Sequence, residues 1–279
     1  MGTGVLVALA ALTVGAALAS AGAVLQSTLR NPLAEPFMLG IVGGAALFAA
    51  AGVRYAGACW AAVPAFAFAG ACFSLALVCV IAWIASRRRG EPFGGTTVIL
   101  AGYVTGSLTG SLQMVVLSQT EPDTFARLSK WLFGDLHSVR PDSLLVAAVL
   151  AAFAFALMYS QNRSLNALAL GDAGAARVGV DVRRTLLISL GAASLATAAS
   201  VALAGAIGFI GLVVPHFVRR VFGANHRVYL PLSALFGALF LLGAEGLGRF
   251  FPEGVSAGVV CAVVGAPFFL YLLVLKKGR

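Results

Sequence analysis

The chain has 279 residues, of which 60% are hydrophobic and 10% charged, and its formal net charge is +9 at pH 7. A soluble domain with that balance would leave apolar surface that it could not cover, so the composition places the chain in lipid. The basic excess does not call for nucleic acid, because Lys and Arg lying between apolar spans usually set membrane topology.

Nine apolar stretches approach the roughly 20 residues that a helix needs to cross a hydrocarbon core of about 30 Å. They cover 4 to 25, 38 to 56, 61 to 85, 96 to 117, 143 to 160, 185 to 204, 206 to 222, 229 to 248 and 256 to 275. A transmembrane barrel would show alternating polarity, and these runs are apolar all round. The expected fold is therefore all-α, a polytopic transmembrane helical bundle of about nine spans forming one domain over 1–279. The first span ends in Ala17, Leu18 and Ala19, a pattern that fits a cleaved leader, but no basic residues precede it, so it is read as a span.

Gly40 with Gly44, Gly106 with Gly110, and Gly254 with Gly258 stand at GxxxG spacing, which lets helices approach closely. Cys59, Cys72, Cys79 and Cys261 show no CxxC spacing and lie in or beside apolar runs, so neither a disulfide nor a metal site is expected. From Ser118 to Ser143, Phe125, Leu128, Trp131 and Leu132 recur at helical spacing beside Arg127 and Lys130. Two readings remain open there: a short amphipathic helix at the interface, or a plain loop with an aromatic anchor. The stretch 162–184 sets Leu165, Leu168, Leu170, Ala173, Ala176 and Val180 among Asp172, Arg177, Asp181 and Arg183, which is too apolar for a solvated linker. It reads as short helices offering a docking surface to another protein. Thr185 to Val218 is too long for one span and is punctuated by Gly205, Gly208, Gly211 and Pro215, so a broken helix is expected near 205–218.

The basic residues choose an orientation. With the first span running from outside to inside, the inner segments collect Arg30, Arg87, Arg88, Arg89, Arg163, Arg177, Arg183, Arg184, Arg219, Arg220, Arg227, Lys276, Lys277 and Arg279. The outer side receives only Arg54, Arg127, Lys130, Arg140 and Arg249. The C-terminus is thus expected in the cytoplasm. An outside N-terminus with an odd number of spans hints at a preceding helix.

No GxxxxGK[ST] loop occurs, so any ATP would be used by a partner. Glu245 is the one acid read well inside an apolar run; it would serve proton coupling, or pair with Arg249 one turn later, and the pair is favoured. His137, His216 and His226 are scattered and form neither a catalytic nor a metal-ligand group, and no cofactor is expected.

Three runs carry a resemblance. Gly22 to Gln26 is followed by Arg30-Asn31-Pro32-Leu33-Ala34-Glu35-Pro36 and Leu39, Gly40, Gly44 and Ala45; Gly205 to His216 is followed by Arg219, Asn225-His226-Arg227, Leu230 and Pro231; and Gly265 to Tyr271 closes the chain. Together they resemble the FecCD family of BtuC-like permeases, the membrane subunits of ATP-binding-cassette importers for iron-siderophore complexes, haem or cobalamin. The resemblance implies a transport subunit of the inner membrane and not an enzyme. It also implies a permease homodimer, a homodimer of ATP-binding subunits and a periplasmic substrate-binding protein, all working by alternating access. Leu168, Leu170, Gly171, Ala173, Ala176, Arg177, Gly179 and Val180 fall in the family's cytoplasmic coupling loop. Gln26, Asn31, Pro32, Gly208, Gly211, Pro215 and His216 fall in its path and structural motifs.

The chain departs from the family at three places. The family has ten spans and an Arg-Leu-Pro-Arg run before the helix that here begins at Gly4, and both that run and the first span are absent. Arg249, the matched basic residue for binding-protein docking, has Glu245 where an aspartate is usual. Ser256 and Ala257 stand where the family has a proline before Gly258. The competing expectations are an ion-gradient-driven carrier or efflux protein using Glu245, and a truncated, non-functional permease.

Overall fold

The computed structural model describes residues 3–55, 57, 59–89, 95–251 and 254–275, without the side chains of Arg89 and residues 271–275. Lys276, Lys277 and Arg279, and the side chains of Arg89 and Tyr271, all of which enter the sequence expectations, lie outside the described residues. The described chain is helical throughout: α1 (Thr3–Thr28), α2 (Ile41–Tyr55), α3 (Val63–Arg89), α4 (Gly95–Ser118), α5 (Pro122–Leu132), α6 (Pro141–Ser160), α7 (Asn162–Leu168), α8 (Asp172–Arg177), α9 (Val182–Ala204), α10 (Ile210–Phe222), α11 (His226–Gly248) and α12 (Ala257–Leu275). Each expected span is matched by a helix, which bears out the polytopic bundle.

Not every expected span is a full-length helix. Among the described residues, six helices are long and apolar enough to cross a membrane: α1, α3 with the turn before it, α4, α6, α9 and α11. α12 is shorter and apolar over Ala257–Leu270, and α2 and α10, with 15 and 13 residues, are too short for about 30 Å at 1.5 Å per residue. Both are short for one reason, because the chain enters each of them as non-helical backbone buried inside the bundle.

The first such entry comes after α1. Arg30 takes a left-handed conformation at φ 49°, and Asn31 accepts the Leu33 N–H at 3.0 Å in a side-chain-closed turn. A 3-10 turn, Pro36–Leu39, then leads through left-handed Gly40 into α2. Ala34 and Leu39 are buried, and Gly40 lies against the backbone of Gly102 and Gly106 in mid-α4. Irregular backbone at such depth is tolerated only where protein covers it.

The second entry is the expected break between α9 and α10. Gly205, at φ 74°, ends α9, and Phe209, also left-handed, precedes α10. Pro215 lies inside α10 and is not part of the break, which corrects the expected boundary.

α1 runs through the centre, packed against α6, α9, α10 and α11. Its residues are mostly Ala, Gly, Ser and Val, so backbones rather than large side chains meet. A Cβ on Gly15 would stand 2.2 Å from the Gly237 carbonyl oxygen of α11. A Cβ on Gly22 would stand 1.9 Å from that of Gly211 in α10. Neither glycine belongs to a GxxxG pair singled out above. Of those pairs, Gly40, Gly44, Gly106 and Gly258 do meet other backbone, whereas Gly110 and Gly254 face open space.

The open question at 118–143 is resolved as a helix. α5 is amphipathic, with Leu128 and Trp131 buried and Phe125 half-exposed. The Trp131 carbonyl abuts Gly205, where a Cβ would stand 1.9 Å away, so α5 closes over the end of α9.

Candidate functional site

The two irregular segments meet at the middle of the bundle. Glu35, in the first, accepts the Phe209 N–H of the second at 3.2 Å. Its carboxylate therefore sits at the N-terminus of α10, where the helix dipole favours negative charge. Pro36 packs on Gly211, one residue inside α10.

Pro215 sets how α1 and α10 join. Having no N–H, it leaves the carbonyl four residues earlier, that of Gly211, without its helical donor. Gln26 of α1 donates Nε2 to that oxygen at 3.2 Å, and to the Leu212 carbonyl at 3.3 Å. Gly22, one turn before Gln26, is what lets α1 come close enough. Three residues of the sequence signatures thus form one device, in which a proline opens a carbonyl, a glycine admits the neighbouring helix and a glutamine fills the gap.

A second chain of bonds joins this centre to the loop 162–184. The Asn166 Oδ1 of α7 accepts the backbone N–H of His226 at 2.9 Å, which fixes that oxygen as an acceptor. The same oxygen lies 2.7 Å from His226 Nδ1, so Nδ1 carries the proton and donates. His226 Nε2 lies within hydrogen-bond distance of the Ser27 hydroxyl of α1, at 2.7 Å, and that hydroxyl also donates to the Ala23 carbonyl of its own helix. Ser27 Oγ in turn accepts from Arg219 Nη2 of α10 at 3.1 Å, and the Arg219 guanidinium lies over the Tyr229 ring at 5.0 Å. Asn166 Nδ2 also donates to Asn225 Oδ1, the N-cap of α11. α7, α11, α1 and α10 are connected in that order.

The loop itself separates into an anchor and a face. Leu165, Leu168 and Ala175 are buried and hold α7 and α8 to the bundle, so Leu168 is not on the surface where the docking reading put it. Leu170, Ala173, Ala176, Arg177 and Gly179 are exposed, Leu170 by 67%, and Val178 joins them at 62%. Gly171 and Gly179 flank α8 with positive φ, and Val180 is half-buried. Asp172 at the start of α8 forms an ion pair with Arg30, tying the loop to the first irregular segment. Of the remaining motif residues, Asn31 closes its turn, Pro32 and His216 line a cavity beside Arg219, and Gly208 lies in the break facing Glu35.

The opposite end of the bundle holds the other polar group. Glu245 is 5% exposed, and its Oε1 accepts from Arg249 Nε at 3.0 Å, as the i, i+4 spacing suggested. His137, between α5 and α6, reaches the same oxygen at 3.0 Å, a partner that sequence reading missed. Arg249 keeps half of its side chain exposed. At the same end, Ser256 donates its hydroxyl to the Phe133 carbonyl at 2.9 Å, a use for the residue standing near the family's missing proline. An open cleft of about 620 Å³ lies between the break and α12, lined by Glu35, Phe37, Phe133, Gly208, Phe209 and Ala266 among others.

Comparison with known proteins accounts for this arrangement. Across 94% of the chain and 69% of the relative, it is 39% identical to the cobalamin import system permease protein BtuC of Halobacterium salinarum. It is 35% identical to the hemin transport system permease protein HmuU of Yersinia pestis, over 96% of the chain and 81% of the relative. A solved structure described as an inward-facing conformation of a metal-chelate type ABC transporter superposes with a TM-score of 0.86 at 28% identity, covering 96% of this chain and 85% of that one. Residues 4–275 match the FecCD transport family, and the chain belongs to that family.

Proposed function

We propose that this chain is the membrane-spanning permease subunit of an ATP-binding-cassette importer, carrying an iron-siderophore, haem or cobalamin-type ligand across the inner membrane by alternating access. The observation that carries the reading is the relay from Asn166 through His226 and Ser27 to Arg219. An exposed apolar loop, Leu170, Ala173, Ala176 and Val178, is wired by side-chain bonds to a helix that begins at mid-depth. In this reading an ATP-binding subunit covers the loop on the cytoplasmic side, where the C-terminus also lies. ATP binding and hydrolysis bias the α7–α8 pair, and α10 moves with it. The chain performs no bond chemistry.

Two copies enclose the path, two ATP-binding subunits dock inside, and a periplasmic binding protein docks outside near Arg249. The relatives' names span cobalamin and hemin, so the ligand class is a bulky metal chelate rather than a free ion. The pairing of Glu245 with Arg249 speaks against a proton-coupled carrier, because the acid already has a cationic partner, with His137 on the same oxygen.

The test is uptake of radiolabelled cobalamin, haem and ferric siderophores in cells with and without the associated ATP-binding subunit. Uptake of one of them that vanishes with that subunit supports the reading, and uptake that survives its loss establishes a gradient-driven carrier. Native mass spectrometry of the extracted complex should find two copies of this chain, and one copy beside its ATPases would remove the homodimer.

A further inference from the structure

The cavity between the ends of α1, α10 and α11 and the α7–α8 loop encloses about 560 Å³, and Gln26, Ser27, Arg30, His216, Arg219 and His226 are among its walls. We propose that it is a binding site for a phosphate-class anion.

Arg219 supplies the main reason. Its Nη2 bonds Ser27 and reaches the Tyr229 hydroxyl at 3.5 Å, and the guanidinium lies over the Tyr229 ring, but its Nε is buried without a hydrogen-bond partner, and no carboxylate pairs with it among the described residues. A partly buried guanidinium with an unpartnered Nε favours an anion, since a charge drawn away from water is stable only when paired and hydrogen-bonded. His226 cannot supply a compensating negative charge, and both its ring nitrogens are already engaged by Asn166 and Ser27.

Arg30 brings a second cation to the same cavity, facing Asp172 on one side. The wall therefore holds two guanidinium groups against one carboxylate. A tetrahedral phosphate, with several acceptor oxygens, suits donors arriving from two helices better than a flat carboxylate does. Arg220 and Arg227, both exposed on α10 and α11, extend the positive field around the mouth. The cavity opens at the end of the bundle where α1 and α10 finish, a level reached equally by a lipid phosphate and by free phosphate. The proposal rests on this geometry alone and stands or falls apart from the transport reading.

The experiment uses the intact chain with whatever subunits accompany it, placed in nanodiscs of phosphatidylcholine alone or with phosphatidylglycerol. One arm titrates inorganic phosphate into the phosphatidylcholine discs by calorimetry. The other measures, by native mass spectrometry, phosphatidylglycerol retained per chain from mixed discs. Saturable phosphate binding assigns a free anion, and selective retention of about one phosphatidylglycerol assigns a headgroup. In either arm Arg219→Lys and Arg30→Gln should each weaken binding about tenfold, the loss expected for one charge-assisted contact. Asp172→Asn, which releases Arg30, should strengthen it. Arg30→Gln, at the partly exposed rim, guards against a folding defect in the Arg219 variant. Absence of both saturable phosphate binding and phosphatidylglycerol preference, or binding indifferent to all three substitutions, would overturn the proposal.

Discussion

The two ends of the bundle are held together by different physics. At the end carrying α7 and α8, side chains do the joining: Asn166, His226, Ser27 and Arg219 form a bonded series across four helices. At the opposite end the helices meet largely through backbone, with Gly205 against the Trp131 carbonyl and Gly258 against that of Phe133, and the side-chain bonds there gather around Glu245 and Ser256. Side-chain bonds can be broken and remade at about 1 kcal/mol each, so a polar end can change its arrangement. Close backbone contact has no such alternative, because any shift opens a void or a clash. The difference teaches which end is built to transmit a movement and which is built to keep its shape.

The comparison can be broken most severely at its centre. Gly22→Val places a branched side chain where a single Cβ would already be 1.9 Å from the Gly211 oxygen. Overpacking of this kind costs about 1–3 kcal/mol and sometimes more, so little monodisperse protein should survive detergent extraction. A normal elution profile and unchanged Tm would mean that α1 and α10 can separate freely.

The loop comes next. Arg177→Glu, on the exposed side, should lower ATP-driven uptake about tenfold with little loss of Tm, and Gly179→Val, at a position whose φ of 81° a β-branched residue rarely adopts, should lower uptake as far with some loss of Tm. ATPase stimulation and uptake unaffected by either would mean that the loop does not receive the ATPase.

A smaller and sharper effect concerns Gln26. Gln26→Leu strands the Gly211 carbonyl and should cost about 1–3 kcal/mol in the native chain. In a Pro215→Ala background the new Ala N–H can serve that carbonyl, so the same substitution should cost less than about 1 kcal/mol. Equal costs in the two backgrounds, read by denaturant titration, would show that the proline and the glutamine are unrelated.

The weakest effect is expected at Arg249. Because Glu245 holds part of its charge, Arg249→Glu should slow capture of the binding protein a fewfold at low salt and hardly at all at high salt, as screening beyond about 10 Å at 0.1 M requires. A rate unaffected at every ionic strength would leave Arg249 as an anchor of α11 only.

Much of the fold is legible in the sequence, and the exceptions have physical causes. Helix content, the break after Gly205 and the short helices of 162–184 follow from local composition, which a single chain displays. The irregular entry at Arg30 to Gly40 stands out in the sequence as a motif but not as buried backbone. The apolar run from Met38 is long enough for a span, and only the left-handed Arg30 and Gly40 show where the helix stops. Glu35 escapes notice as an interior acid for the same reason. α5 stays open between helix and loop because Leu128 needs a surface to bury against, and part of that surface, Ala50, is distant in sequence. The Asn166–His226 bond spans 60 positions, and His137 reaches Glu245 from another helix junction. Neither partner announces the other by spacing.

The central claim is that movement of the α7–α8 pair reaches α10 through Asn166 and Ser27. Asn166→Leu and Ser27→Ala, in the reconstituted complex, test it most directly when uptake, ATPase rate and Tm are measured on the same samples. The account predicts uptake down at least about tenfold, well beyond any fall in Tm, with the ATPase rate near that of the unsubstituted complex. Uptake unchanged in both variants, or falling only in proportion to Tm, would contradict it.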